Sequence, residues 1–218
     1  MAGMIVGLFA VNSMALEMSA GVKGGLAMGN ITGADATQTG ADKKMLLGMN
    51  AGGVFNMNFM PMFGAELDVL YSMKGAKWVP TGGGSGESDF KTAYLDIPVL
   101  AKFIVPTPGA FKPIVFVGPS FGILLSSKGV TSGMGAPYDG TVDMKDNTTS
   151  LDIGLVAGVG AEIGLGSGNL LFDARYMMGF SKFTKLTDAE KALGATDADL
   201  PELKNSVISI MVGYAFKF

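Results

Sequence analysis

The sequence predicts an all-β fold, an eight-stranded antiparallel up-and-down transmembrane β-barrel, from three observations. The last twelve residues alternate between an apolar face and a face of smaller or polar residues, as a lipid-facing C-terminal strand does. The apolar face carries Ile208, Ile210, Val212, Tyr214, Phe216 and Phe218. The mean hydropathy is +0.38, yet after residue 15 no apolar run approaches the roughly 18 to 20 residues of a spanning helix. Only helices and closed barrels pair every backbone polar group within hydrocarbon, so the dispersed hydrophobicity predicts a closed barrel.

Period-two alternation between turn residues predicts the first four strands. They span about residues 16–28, 44–59, 63–77 and 90–105. The first alternates methionine, valine and leucine with glycine, serine and lysine, and the second alternates large apolar residues with lysine and asparagine, with Lys44 inward. The third is the clearest, because Leu67 and Val69 alternate with Glu66 and Asp68. In the fourth, Pro98 cannot donate to a ladder and predicts a β-bulge.

The same alternation predicts four further strands, and the connections between the eight predict an orientation. These strands span about residues 113–126, 151–163, 170–183 and 207–218. Valine, phenylalanine and isoleucine alternate in the fifth, glycine fills the inward face of the sixth, and aromatic residues alternate with charged ones in the seventh. Short and long connections alternate along the chain. We therefore expect short periplasmic turns, long extracellular loops and both termini in the periplasm.

The chain divides into a leader and one domain. Residues 1–15 resemble a secretory signal peptide, although no lysine or arginine precedes Lys23, so the leader is truncated or is an ordinary apolar tail. We expect residues 16–218 to form a single outer-membrane β-barrel domain. These features predict a location in the outer membrane of a Gram-negative bacterium, with the C-terminal strand presented to the barrel-assembly machinery. The chain has no cysteine, and a closed barrel needs no disulfide.

Inward positions carry ten charged side chains, five of each sign. They are Lys23, Glu66, Asp68, Lys74, Asp96, Lys102, Glu162, Asp173, Arg175 and Lys217. Opposite charges in a narrow interior are tolerated when they pair and hydrogen-bond. An eight-stranded barrel is just wide enough for its own side chains. We therefore interpret this set as a structural lumen charge network and not as a selectivity filter.

Catalytic, metal and nucleic-acid sites are disfavoured by composition. Residues 118–122 match G-x-S-x-G, but the chain contains no histidine, which excludes a Ser-His-Asp triad. Without histidine and cysteine, zinc sites are excluded, and no cofactor is expected. The net charge of −3 gives no basic footprint for nucleic acid. Acidic loops at 139–146 and 188–202 could bind calcium weakly, but solvated loops account for them more simply.

Three lysines fall on the outward face at the loop end of their strands: Lys77, Lys91 and Lys182. Phosphates of lipopolysaccharide would lie at this level of an outer-membrane barrel. We expect outer-membrane lipid and lipopolysaccharide to contact the chain there.

Four stretches resemble the PorT-like outer-membrane β-barrel family of the Bacteroidetes and related bacteria. They are residues 94–103 (YLDIPVLAKF), 112–122 (KPIVFVGPSFG), 173–183 (DARYMMGFSKF) and 212–218 (VGYAFKF). The resemblance covers most predicted strands and none of the long loops. It implies a small barrel without catalytic residues, and the namesake of the family is linked to assembly of a protein-secretion system. Fold alone does not transfer that role to this chain.

The sequence predicts a non-enzymatic outer-membrane barrel that acts through its extracellular loops, on an unidentified envelope or extracellular partner, or as an envelope or secretion accessory. The alternative is a narrow porin-like channel for ions or small solutes. A lipid-modifying enzyme is a third class, which the absence of histidine disfavours. The structural alternative is a soluble lipocalin-like barrel, which would bury its apolar face inside.

Overall fold

The computed structural model describes residues 16–33, 41–81, 86–186, 193–194, 196 and 201–218. The proposed leader at 1–15 lies outside these residues. The described chain forms antiparallel strands and one short 3-10 turn. In order they are β1 (Glu17–Thr32), β2 (Ala41–Met60), β3 (Phe63–Pro80), β4 (Glu87–Ile104), β5 (Phe111–Ser132), β6 (Gly140–Asp143), the 3-10 turn Lys145–Asn147, β7 (Leu151–Leu165), β8 (Gly168–Gly179) and β9 (Lys204–Lys217).

Eight of these strands pair in a closed ring. Neighbours in the ring follow chain order, and β5 pairs with both β4 and β7. The ring closes because β1 pairs with β9 from Ser19↔Lys217 to Thr32↔Lys204. The short β6 pairs with β5 beyond the ring. The predicted all-β, eight-stranded antiparallel fold is confirmed. Within the described residues, no helix is long and apolar enough to cross a membrane.

The polarity of the ring is inside out. Along β9 the outward Ile210 is 59% exposed, whereas its neighbours on the inward face, Ser209 and Met211, are 2% exposed. The same alternation holds on the other strands of the ring, where outward valine, leucine and phenylalanine are exposed and inward lysine, aspartate and glutamate are buried. An apolar exterior around a polar interior is the arrangement of a membrane barrel and not of a lipocalin-like barrel.

The two ends of the barrel differ in their connections. At one end, here called the short-turn end, the strands join through residues 61–62, 105–110 and 166–167. Gly166 adopts a φ of +61° in the last of these turns, a conformation that favours glycine. The long connections lie at the opposite, long-loop end. The first residue of β1 and the last residue of β9 both lie at the short-turn end, because the ring has an even number of strands.

The prediction of a β-bulge at Pro98 is wrong. The register of β4 against β5 runs without a shift from Ile97↔Phe121 to Ala101↔Val117. The missing N–H of Pro98 interrupts the pairing with β3 locally but does not displace the strand. Register shifts lie instead between Ala93 and Tyr94 opposite β5, and in β2 between Met45 and Asn50 and between Asn58 and Met60 opposite β3.

Closure of the ring can be tested by a disulfide between β1 and β9. Leu26 and Ile210 are directly opposite, and the chain has no native cysteine. We expect Leu26→Cys with Ile210→Cys to oxidise to an intramolecular disulfide, because opposed residues fall within the Cα separation that a disulfide needs. Mass spectrometry of the refolded protein measures it. The control pair Val22→Cys with Ile210→Cys is out of register by four residues, about 13 Å of strand. Equal oxidation of both pairs would contradict the closure.

Candidate functional site

The central cluster is a buried ion-pair network from β1, β3 and β8. Its members are Lys23, Glu66, Asp68, Asp173 and Arg175. The Lys23 ammonium lies 2.7 Å from Glu66 and 3.1 Å from Asp68. It also lies 3.3 Å from Asp173. Arg175 contacts the same three carboxylates, with Glu66 at 3.3 Å and Asp68 and Asp173 at 2.8 Å, so no member depends on a single partner.

Arg175 holds this cluster together through the shape of its guanidinium. Its Nε and Nη2 donate to the two carboxylate oxygens of Asp173 at 2.9 and 2.8 Å, a bidentate pair. Its Nη1 donates to Asp68 at 2.8 Å. The guanidinium carbon lies 5.1 Å from the centre of the Phe116 ring. Gly158 makes room for that ring, because a Cβ there would come within 2.5 Å of it.

A second ion pair, the turn-side pair, lies nearer the short-turn end. Lys102 on β4 donates to Glu162 on β7 at 2.6 Å. It also donates to the Asn56 side-chain oxygen at 2.5 Å. Asn169 donates to the other Glu162 oxygen at 3.4 Å. Both charged groups are buried and each has an additional amide partner, as burial of an ion pair requires.

The loop-side cluster lies nearer the long-loop end. Lys74 lies 2.9 Å from Asp96 and 3.1 Å from Asp152. Its ammonium is also 4.6 Å from the centre of the Tyr94 ring. Asn205 donates to Asp152 at 3.0 Å, which links β9 to the cluster. Sequence reasoning missed Asp152, although it has the same period-two phase as the inward glycines of its strand.

An apolar layer separates the central and loop-side clusters. Leu70, Val156, Met177 and Val207 face inward at this level and are 6% exposed or less. A cavity of about 30 Å³ adjoins them, room for about one water molecule. Ionic and apolar side chains therefore alternate along the barrel axis. At the level of the apolar layer they leave little free space in the lumen.

The described lumen carries an excess of negative charge. The buried charges are Lys23, Lys74, Lys102 and Arg175 with Glu66, Asp68, Asp96, Asp152, Glu162 and Asp173. Four basic groups facing six carboxylates give a formal charge of −2. The surplus is divided equally, with one carboxylate more than the basic groups in the central cluster and one in the loop-side cluster.

Lys217 does not join the buried network. It follows the inward phase of β9, but it lies at the last residue of that strand, where the lumen opens to solvent. Its side chain is 38% exposed and pairs with Glu17 at 3.0 Å. The alternation predicted its face but not its depth along the barrel axis.

The long-loop end is covered by two segments, residues 144–149 and 183–186, here called the mouth cover. Thr148 and Phe183 are 1% and 5% exposed. The Thr148 hydroxyl is hydrogen-bonded to the inward Ser127 at 2.8 Å, and Thr149 N–H donates to the Phe183 carbonyl at 2.9 Å. The Phe183 ring packs edge-on against Phe90, with centroids 4.6 Å apart. No sequence pattern indicated this cover.

Of the three outward lysines, the structure brings two together. Lys77 on β3 lies 2.9 Å from Glu87 and 3.6 Å from Asp89. Lys91 on β4 lies 3.0 Å from Asp89. Lys182 follows β8, on a different part of the ring. The predicted set of three is therefore one pair joined by acidic residues and one separate residue.

The described residues contain no recognisable catalytic or metal arrangement. Ser120 of the G-x-S-x-G motif is 1% exposed in the middle of β5, not at a strand-to-helix turn. No group of three or more acidic side chains that could hold a metal occurs among them. Asp143 instead accepts a hydrogen bond from Lys145 N–H at 2.8 Å. Most acidic residues of the loop at 188–202 lie outside the described residues.

Comparison with known proteins gives one family and several distant structures. The family model for an outer membrane protein beta-barrel domain matches residues 9–185. Ail of Yersinia pestis is 14% identical over 92% of this chain and 99% of that chain, with a TM-score of 0.45. OprG of Pseudomonas aeruginosa is 16% identical over 92% and 95%, with 0.47. Neisserial surface protein A is 13% identical over 91% and 97%, with 0.46. No curated protein matches.

Removing one basic group from the central cluster should be costly. Arg175→Met leaves three buried carboxylates with Lys23 as their remaining basic partner, so we expect the free energy of unfolding to fall by about 3–5 kcal/mol. Urea unfolding of the protein in lipid vesicles, followed by tryptophan fluorescence, measures it. The control Lys217→Gln breaks an exposed pair and should cost about 1 kcal/mol or less. Equal effects of the two substitutions would show that the central cluster does not stabilise the barrel.

Proposed function

The chain belongs to the outer membrane protein beta-barrel domain family, and from this premise we propose that it is a non-enzymatic integral outer-membrane protein with a filled lumen. It acts through its long loops, on an envelope or extracellular partner, or as an accessory in the envelope or in secretion. The narrower PorT-like assignment stays a prediction from the sequence.

The filling of the lumen is the observation that carries this proposal. Ion pairs cross the interior between strands far apart in sequence, such as Lys23 on β1 with Asp173 on β8. The apolar layer lies between the ionic clusters, and the mouth cover lies above them. A solute path through the barrel would have to break several buried ion pairs, each of which leaves an unpaired charge when broken. This arrangement supports a structural lumen and disfavours the channel alternative.

The chemistry of the chain supports a role without catalysis. Ser120 has no histidine to activate it anywhere in the sequence, and it is buried among strand neighbours. The remaining lumen carboxylates and basic groups are engaged with one another. Function is therefore assigned to the surfaces outside the lumen.

The proposed orientation follows from loop length. Short turns belong in the periplasm and long loops outside the cell in barrels of this type. The proposal places both termini in the periplasm and the β5–β6 hairpin outside. The C-terminal strand, with its exposed Phe216 and Phe218, is then available to the barrel-assembly machinery during insertion.

Planar-bilayer conductance tests the filled lumen. We expect the purified protein to give no steady single-channel current. Phe116→Ala with Met177→Ala removes two large inward side chains and should produce a measurable current, because the cavity beside Arg175 then enlarges. The control Phe121→Ala with Met178→Ala truncates the same residue types on the lipid face of the same strands, where each is 41% exposed. A steady current from the unmodified protein would favour the narrow channel instead.

Labelling of single cysteines tests the orientation. Tyr138, in the connection between β5 and β6, is 71% exposed, and Ser167 lies in an exposed short turn. On intact cells, a membrane-impermeant maleimide should label Tyr138→Cys and not Ser167→Cys, since only the long loops face outward. Lysed cells should show labelling of both. The reverse pattern on intact cells would overturn the proposed orientation.

A further inference from the structure

The outer rim at the long-loop end carries two pairs of directly opposed lysines, here called the rim lysines. Lys44 on β2 is opposite Lys77 on β3, and Lys91 on β4 is opposite Lys128 on β5. Opposed residues on one face of an antiparallel pair have Cβ atoms about 4.5–5.5 Å apart, and like charges there are destabilising. Two such pairs on neighbouring strands require a source of negative charge.

Part of that negative charge is within the rim itself. Asp89 is opposite Lys77, and its carboxylate also lies 3.0 Å from Lys91. The Asp89 carboxylate therefore forms ion pairs with both inner lysines, Lys77 and Lys91. The two outer ones, Lys44 and Lys128, are exposed and form no ion pair within the described residues. Asp143 is opposite Lys128 in register but forms no ion pair with it.

Two β-bulges aim the outer lysines at the rim. The sequence alternation placed Lys44 inward, but the register shift of β2 between Met45 and Asn50 turns it to the face of Lys77. In β5, the shift opposite Ala93 lets Lys128 share the outward face with Leu125. A β-bulge changes the direction in which a side chain points, and bulges are common next to functional sites. Each bulge brings one lysine opposite another.

The rim lysines lie just beyond the lipid-facing surface. Outward Leu47 on β2 is 67% exposed and outward Leu125 on β5 is 43% exposed. Lys44 lies three residues before Leu47, and Lys128 lies three residues after Leu125. Each outer lysine is therefore about 10 Å nearer the long-loop end than these apolar residues. Charged headgroups of the outer leaflet begin at this level if the chain has the proposed orientation.

We propose that the rim lysines bind the phosphate groups of lipopolysaccharide, with Lys44 and Lys128 as the free contacts at the two ends. The row crosses four neighbouring strands, about 14 Å from β2 to β5. It therefore fits a glycolipid with more than one phosphate better than a single free phosphate ion. This site includes Lys77 and Lys91 and excludes Lys182. It rests on the proposed location of the chain in the outer membrane.

The test compares two double variants of the full chain in detergent micelles. Lys44→Gln with Lys128→Gln should weaken binding of purified lipopolysaccharide about tenfold, measured by titration calorimetry. The control Lys112→Gln with Lys217→Gln makes the same change in net charge at the short-turn end and should bind as the unmodified protein does. Lys44→Arg with Lys128→Arg should retain binding, because the positive charges remain. Lipopolysaccharide stripped of its phosphates should abolish the difference between the variants.

Each other outcome overturns the inference. Equal weakening by both Gln variants would indicate a net-charge effect, and a deficit that persists with stripped lipopolysaccharide would exclude phosphate as the ligand. Failure of the unmodified protein to bind lipopolysaccharide, while it still inserts into lipid vesicles, would remove the inference and leave the proposed function intact. Failure to insert would remove both. If the double Gln variant loses its heat-dependent gel shift, the single variants Lys44→Gln and Lys128→Gln are compared instead, and binding by both at the strength of the unmodified protein would overturn the inference.

Discussion

Backbone hydrogen bonding in hydrocarbon is the constraint on which this structure depends. Unpaired N–H and C=O groups cost several kcal/mol each in a bilayer, so a sheet there must have no free edge. The pairing of β1 with β9, from Ser19↔Lys217 to Thr32↔Lys204, removes the last edges of the ring. Closure then divides every strand into an outward and an inward face. The apolar exterior and the polar interior both follow from that division.

A narrow closed ring has an interior that its own side chains must fill. Arg175 meets this demand with a planar guanidinium, which binds Asp173 through two parallel hydrogen bonds and Asp68 through a third. The apolar layer around Val156 supplies packing between the ionic clusters. Because the clusters connect strands that are distant in sequence, they also fix the relative positions of those strands. The packing demands of a closed ring thus account for the arrangement of the lumen side chains.

Regular alternation breaks down at the long-loop end, where the proposed interactions lie. The register shifts in β2 and β5 re-aim Lys44 and Lys128, and the mouth cover packs against inward residues such as Ser127. Both features depend on contacts between separate strands and loops. The first places charged groups on the outer rim, and the second adds buried side chains at the mouth. The regular part of the molecule is therefore a scaffold, and the irregular part carries the candidate interactions.

The sequence by itself determined the fold class, the eight strands of the ring and the face of most side chains, because alternation is a local property that closure makes obligatory. It also identified nine of the ten buried lumen charges, all except Asp152. Only the tertiary structure decided which charges pair, the depth of Lys217 along the axis, the mouth cover and the reversal of Lys44. Each of these depends on contacts between strands or loops that are distant in sequence, and a bulge of one residue moves a side chain to the opposite face without any local signal.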